Sequence, residues 1–184
     1  MTLEIEKKFV LRDGLAKSFE ERLAESDAEF VGERFEANHL YANELLDTKE
    51  AFIRLRTIGE SVELTYKERM TGAEGFKTQL EHETLVGSFE EAEKIIEHLG
   101  LEKRLTYEKR RKIWDFATTE VVLDELPFGH FMEIEGSPEA IEFVAKSIGA
   151  YEAKVETRSY PILAGEYGSE IEGYIFCGFE TEIS

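Results

Sequence analysis

Four pairs of like-charged side chains two residues apart stand out in this sequence, and each pair has a chemistry of its own. Glu4 and Glu6, and again Glu133 and Glu135, are carboxylate pairs; Arg54 and Arg56, and Lys109 and Arg111, are cationic pairs. On an extended chain residues i and i+2 point to the same side, so both members of a pair share a face. Like charges held together on one face repel. A solvated face would more naturally interleave Thr, Ser and Lys, so the pairing itself needs a reason. Carboxylate pairs are hard oxygen ligands suited to Mg²⁺ or Mn²⁺. Arginine meets phosphate oxygens through a two-pronged hydrogen bond, and lysine meets them as a point charge. A divalent cation clamped between carboxylates and a polyphosphate, with basic groups on the remaining oxygens, is the electrostatic arrangement of phosphoryl transfer. The residues point to a metal-dependent polyphosphate site.

Strands must position these pairs, and alternation predicts them. Leu3, Ile5, Phe9 and Leu11 fall on one face of the first segment, and Glu4, Glu6, Lys8 and Val10 on the other. Residues 13–30 read as a helix, with Leu15, Phe19, Leu23 and Phe30 near helical spacing. Ala51–Thr57 and Ser61–Lys67 are strands, the second opposing Val62, Leu64 and Tyr66 to Glu63, Thr65 and Lys67. Gly72 and Gly75 mark a hairpin turn before Phe76–Leu85, where Gln79, Glu81 and Glu83 share a face. Ser88 to Gly100 is a helix with Ser88 as cap, Glu91 at the capping-box position and Gly100 as its end. Leu105–Phe116, Thr119–Leu126 and Phe131–Gly136 are further strands, carrying Lys109 and Arg111, Asp124, and the second glutamate pair. A helix starts at Ser137-Pro138-Glu139 and runs to Gly149, and Tyr160–Gly165 is a last short helix. Gly168 to Ser184 receives no assignment. The whole is an α+β domain of seven or eight mostly antiparallel strands. Any single strand of this kind also suits an ordinary half-exposed sheet. Closed into a barrel with the charged faces inward, the set would line a cavity with acidic and basic sectors, and helices would cover the apolar outside.

The composition bounds the partners. The 184 residues suffice for one domain, and 42% apolar residues indicate a folded core. A net charge of −18 disfavours a nucleic acid or an acidic membrane as partner, since both attract basic surfaces. It leaves a small anionic substrate open, because a few focused cations and a metal reverse the field locally. One cysteine, Cys177, excludes an internal disulfide and a cysteine-based zinc site. With no apolar stretch at the N-terminus and no membrane-length run, the cytoplasm is the expected compartment.

The motifs together resemble the CYTH, or triphosphate tunnel, family, named for a bacterial class of adenylate cyclase and for thiamine triphosphatase. Glu4-Ile5-Glu6-Lys7-Lys8 matches its opening ExExK signature. In family order follow Ile53-Arg54-Leu55-Arg56 for the RxR strand, Leu64-Thr65-Tyr66-Lys67 for the strand ending in lysine, and Lys109-Arg110-Arg111 for KxR. Leu123-Asp124, Gly129 and Met132-Glu133-Ile134-Glu135 then resemble the aspartate, glycine and ExE, and Arg158-Ser159-Tyr160 with Leu163 resembles the C-terminal segment. The resemblance spans residues 1 to about 165, taken as a single domain with 166–184 as a tail. It implies a closed, mostly antiparallel eight-stranded β-barrel with helices packed on its outside. It implies Glu4, Glu6, Glu133 and Glu135 as metal ligands for Mg²⁺ or Mn²⁺, with Asp124 as ligand or water-orienting group. It implies Lys8, Arg54, Arg56, Lys67, Lys109 and Arg111 as the triphosphate-binding set, and Lys8, Arg54, Arg56 and Asp124 as the residues closest to the chemistry. Arg110 and Lys112 flank Arg111, so a slip of one residue would turn the other face of that strand inward.

Two departures stand out. Where the family has Arg-x-Glu-x-Glu this chain has Gln79-Leu80-Glu81-His82-Glu83, losing one cation or replacing it by Lys77; where it has Tyr-x-Asp the chain reads Tyr41-Ala42-Asn43. Among other candidates, His39, His82, His98 and His130 lack metal spacing, the Gly72–Gly75 segment lacks the Lys-Ser/Thr of a phosphate loop, and Trp114 is expected on the outer face. The expected activity is hydrolysis of the terminal phosphate of inorganic, thiamine or nucleoside triphosphate. The alternatives are an adenylate cyclase releasing cyclic AMP and pyrophosphate, and a polyphosphate-binding module without turnover. The expected partner is a small-molecule triphosphate, not nucleic acid or membrane, with a homodimer left open.

Overall fold

A computed structural model describes residues 2–12, 14–72 and 75–180. Eight strands make the central body: β1 (Thr2–Leu11), β2 (Glu29–Ala42), β3 (Ala51–Ile58), β4 (Ser61–Met70), β5 (Lys77–Val86), β6 (Glu102–Phe116), β7 (Thr119–Leu126) and β8 (Gly129–Glu135). Hydrogen bonding runs β6-β2-β3-β4-β5-β1-β8-β7, and β7 pairs back onto β6, so the sheet closes. Every one of these pairings is antiparallel. Closure leaves the eight strands no free edge and divides each one into an inner and an outer face.

The apolar outer faces are covered by helices. α1 (Leu15–Glu25) and α4 (Pro138–Ser147) bury Phe19, Leu23, Ile141 and Val144 against Phe9, Val121, Met132 and Ile134. Trp114 joins this cluster, 3% exposed, as expected of an outward packing residue. α3 (Phe89–His98) lays Ala92 and Ile96 on Tyr41 and Leu55. Ser88 caps α3 through the Glu91 amide at 3.2 Å, and Gly100 leaves it with a left-handed φ of 80°. Ser137 caps α4 through the Ala140 amide in the same way. A five-residue helix, α2 (Glu44–Thr48), joins β2 to β3.

The inner face is charged over most of its length and apolar at one end. Leu40, Leu105, Leu126 and Phe131 continue the inward faces of Asn38, Tyr107, Asp124 and Glu133, and α5 (Tyr160–Tyr167) packs Tyr160, Leu163 and Ala164 onto them. This apolar floor stops the tunnel there. Three short strands complete the wall. β9 (Lys154–Glu156) pairs with β1 over Lys8–Val10, beyond the reach of β5. β10 (Ser169–Ile171) and β11 (Tyr174–Cys177) form a hairpin, with β11 parallel to β6 over Leu105–Tyr107. Here β7 has already separated from β6, so β11 and α5 fill the gap.

The segment 13–30 differs from its sequence reading. The helix ends at Glu25 and a 14-residue strand begins at Glu29. Phe30 lies seven residues after Leu23, which mimics helical spacing, but its ring packs on Trp114 from the strand, 5.1 Å between centroids. A register shift between Phe30 and Gly32 breaks the alternation that would have revealed β2. The expected hairpin tip falls partly outside the described residues; its two strands pair up to Met70 and Thr78. No helix among the described residues is long and apolar enough to cross a membrane.

Candidate functional site

A cavity of about 380 Å³ occupies the barrel, lined by seven carboxylates and seven cations. A chain carrying −18 overall thus keeps its interior near electrical balance. The two signs are sorted. β3 and β6 supply most of the basic wall: Arg54 and Arg56 are 5% and 7% exposed, and Lys109 is 2% exposed. Register settles the lysine and arginine run. Lys109 pairs across to Glu36 and Arg111 to Asp124, inside the barrel, whereas Arg110 and Lys112 reach Glu125 and Glu20 outside it.

Each basic group is held by acids behind it. Arg111 forks onto Asp124, Nε to Oδ1 at 2.7 Å and Nη2 to Oδ2 at 2.6 Å, and Nη2 also reaches Glu133 at 2.8 Å. Tyr160 donates to the same Asp124 Oδ2 at 2.8 Å. Lys8 sits 3.2 Å from Glu133, donates to the Arg158 carbonyl at 3.0 Å, and lies 4.0 Å over the Tyr160 ring. Burial, with Arg111 close by, pushes the Lys109 ammonium down to about 8, although Asp124 and Glu36 resist. Burial and the neighbouring Arg56 also depress Arg54.

Five of the seven carboxylates, the acidic sector, lie on β1, β7 and β8, whereas Glu81 and Glu83 on β5 stand against Arg54. Glu6 and Glu120 are both cross-strand neighbours of Glu135, and Glu4 stands two residues along from Glu6. Burial, then Glu4, Glu120 and Glu6, push the Glu135 carboxyl up to about 8. Burial and Glu133 raise Glu6 as well. Glu133 goes the other way: burial would raise it, but Lys8, Arg111 and Lys109 outweigh burial and hold it low. Two lysines enter this sector, Lys67 at 2.8 Å from both Glu4 and Glu81, and Lys77 at 3.1 Å from Glu6.

All the residues singled out in the sequence therefore face the barrel interior. Glu4, Glu6, Arg54, Arg56, Lys67, Lys109, Arg111, Glu133 and Glu135 line the cavity itself; Lys8 and Asp124 stand behind it, 3% and 1% exposed. Gln79 lies between Lys77 and Glu81 on β5, 5% exposed, with Oε1 unpaired among the described residues. Sequence reasoning missed Arg34, Glu36 and Asn38, because β2 was not recognised, and Glu120, which precedes a run of apolar residues. The alternation Arg34-x-Glu36-x-Asn38 was the available signal.

Among the described residues, no three Asp, Glu, His or Cys side chains are already gathered tightly enough to enclose a metal ion. The donor chemistry nevertheless fits a hard divalent cation. All the donors are carboxylates, and they are crowded enough that Glu135 holds its proton to about 8.

A closed eight-stranded antiparallel barrel encloses an interior of acidic and basic side chains. The CYTH domain model matches residues 2–160, and the chain belongs to the CYTH family. Solved structures agree on the fold. A conserved hypothetical protein from Pyrococcus furiosus is 25% identical with a TM-score of 0.73, over 87% of this chain and 99% of that one. PH1819 protein from Pyrococcus horikoshii OT3 is 25% identical with a TM-score of 0.75, over 89% and 99%. A putative adenylyl cyclase from Hippeastrum, described as revealing a dominant triphosphatase activity, is 14% identical with a TM-score of 0.72, over 92% and 98%. Comparison with curated proteins found no match.

Proposed function

We propose that this protein is a metal-dependent phosphohydrolase that removes the terminal phosphoryl group of a triphosphate. The observation that carries the reading is the basic wall of Arg54, Arg56, Lys109 and Arg111 lining one cavity together with a carboxylate sector. Solvated arginines do not need burial to this degree; arginines built to replace the hydration of an anion do. Arg54, which lines the cavity, has a buried Nε with no acceptor among the described residues, as a site awaiting ligand oxygens would have. CYTH proteins are triphosphatases and cyclases and are generally metal-dependent, and the Hippeastrum relative supports the hydrolytic branch.

Glu4, Glu6, Glu133 and Glu135 would hold Mg²⁺ or Mn²⁺, which supplies charge neutralisation on the phosphate oxygens. To do so Glu4 must be released by Lys67, Glu6 by Lys77 and Glu133 by Arg111, and those cations would then turn to the phosphates. Arg54, Arg56, Lys109 and Arg111 bind the chain of phosphoryl groups, and Asp124 and Tyr160 fix Arg111 from behind. Lys8 balances Glu133 and supports the same wall. Water attack at the terminal phosphorus opens the bridging P–O bond, and the cations meet the charge that gathers on the departing diphosphate.

One assay tests this: purified protein with Mg²⁺ or Mn²⁺ against inorganic, thiamine and nucleoside triphosphates, with separate readouts for orthophosphate, pyrophosphate and cyclic nucleotide. Orthophosphate release that EDTA abolishes and metal restores is expected. Cyclic AMP with pyrophosphate would make the protein a cyclase, and binding without turnover would make it a binding module.

A further inference from the structure

β2 sends two side chains into the barrel that do not line the cavity. Glu36 and Asn38 are each 0% exposed. Their direct cross-strand neighbours are Lys109 and Arg56. Arg56 donates Nε to Asn38 Oδ1 at 2.9 Å and lies 3.3 Å from Glu36 Oε2. Lys109 Nζ lies 3.2 Å from that same oxygen, and Arg34 Nε donates to Glu36 Oε1 at 2.7 Å. One carboxylate thus stands behind three cations that do line the cavity. Burial alone would raise Glu36, but Lys109, Arg111 and Arg56 overcome burial and keep it ionised.

A negative charge at the back of an anion site weakens the site's net attraction, so it must serve another purpose. Asp124, 3.6 Å from Lys109, offsets only part of the repulsion from Arg111 and Arg56, and Glu36 adds to it at 3.2 Å; the same carboxylate stands against the repulsion between Arg56 and Arg54. Glu36 and Asn38 take the Nε edge of Arg56 from behind. Among the described residues the Nη groups keep only a long contact, 3.4 Å to Glu63, and remain for a ligand. We propose that Glu36 and Asn38 are positioning residues that fix Arg56 and Lys109 before an anion arrives, so that the basic wall is set when charge develops on the phosphoryl group. This rests on the triphosphate reading above.

The two contributions of Glu36 separate kinetically. Glu36→Gln removes a negative charge, which holds or tightens ground-state binding, and loosens two cations, which slows the chemical step. With the triphosphate that the wild type turns over best, in Mg²⁺, kcat should fall at least tenfold while KM stays level or drops. Asn38→Leu, which keeps the volume and removes the acceptor for Arg56, should lower kcat in the same sense. Adding Glu36→Gln to Arg56→Ala should cost less than it does in the wild type, because one of the groups it positions is gone. A purely structural role would lower Tm and the folded fraction, leaving kcat per folded molecule and KM unchanged. If Glu36→Gln does not fold, Glu36→Asp, which keeps the charge but falls short of the cations, carries the same kcat expectation beside Asn38→Leu. Folded variants at both positions with kcat within twofold of wild type would overturn the proposal and leave the triphosphatase reading intact. A wild type that neither binds nor cleaves any triphosphate would end both.

Discussion

Arg54 and Arg56 stand two residues apart on β3, roughly 7 Å along the strand, and they have different neighbours. Arg56 is fixed by Asn38 and Glu36, whereas Arg54 has an unpaired Nε and contacts of 3.2 to 3.5 Å to Thr65, Glu81 and Glu83. Their spacing lets them meet different phosphoryl groups. Arg54→Ala and Arg56→Ala should therefore differ in kind, one raising KM and the other lowering kcat, with a loss of about 2–4 kcal/mol where transition-state charge is touched. Steady-state kinetics on folded variants decide it, and wild-type values for both would remove these arginines from the site. Lysine replacements should rescue only in part, lacking the fork. Lys109 gives a second handle. With its ammonium at about 8, roughly half the molecules lack that proton at pH 8. A bound anion favours the charged form, so metal-free tripolyphosphate should bind with proton uptake at pH 8, and with none from this group at pH 6. Calorimetry in buffers of different ionisation enthalpy measures the uptake, and Lys109→Met should remove it. That each pair shares one strand face was legible because charge pairs at spacing two are visible without structure. Whether Lys109 and Arg111, or Arg110 and Lys112, point inward was not visible, since both faces carry cations. Partner strands decide it.

At the level of elements, legibility followed periodicity. Strands with unbroken alternation, such as β3 and β4, were read nearly to their ends. β2 was lost because its alternation is broken near Gly32 and its inward face is Arg34, Glu36 and Asn38, which no strand propensity favours. β10 and β11 were lost because they are three and four residues long and gain stability from their place beside β6 rather than from their own pattern. α5 was found, but its purpose is tertiary. It plants Leu163, 2% exposed, on the apolar floor with Leu40, Leu105 and Phe131. Leu163→Ala should cost about 2–5 kcal/mol, the range for emptying a filled core position. Urea denaturation measures the loss. Because Tyr160 on the same helix donates to Asp124, loosening α5 should also reduce kcat before the protein unfolds. A loss under about 1 kcal/mol would mean that α5 is not holding the floor.

For the molecule as a whole, the charge distribution predicts how stability follows pH when no metal is bound. Glu135 has its folded carboxyl near 8, against an ordinary value of 4.5, and Glu6 is raised too. Between these limits the folded protein binds more protons than the unfolded chain, so stability must fall as pH rises through that window. His39 opposes this at lower pH: burial depresses it to about 4, so stability rises with pH from there to 6.5. Glu133, held low, loses its contribution only below the ordinary carboxylate range. From pH 6.5 to 7.5 the raised glutamates outweigh Lys109, whose depressed ammonium starts to lose its proton in the folded state and opposes them increasingly towards pH 8, so the EDTA-treated protein should lose stability across that interval, less steeply at its upper end. A divalent cation favours the ionised carboxylates, which brings their folded values down and removes the slope. Metal should accordingly stabilise more at pH 7.5 than at 6.5, with protons released on binding. Urea midpoints at several pH values, with EDTA and with Mg²⁺ or Mn²⁺, give both slopes. Glu135→Gln has no proton to hold, so its EDTA curve should be flatter and its gain from metal smaller. If wild type and Glu135→Gln lose stability in parallel, and metal leaves the wild-type slope unchanged, the acidic sector is a solvated surface rather than a seat for a cation.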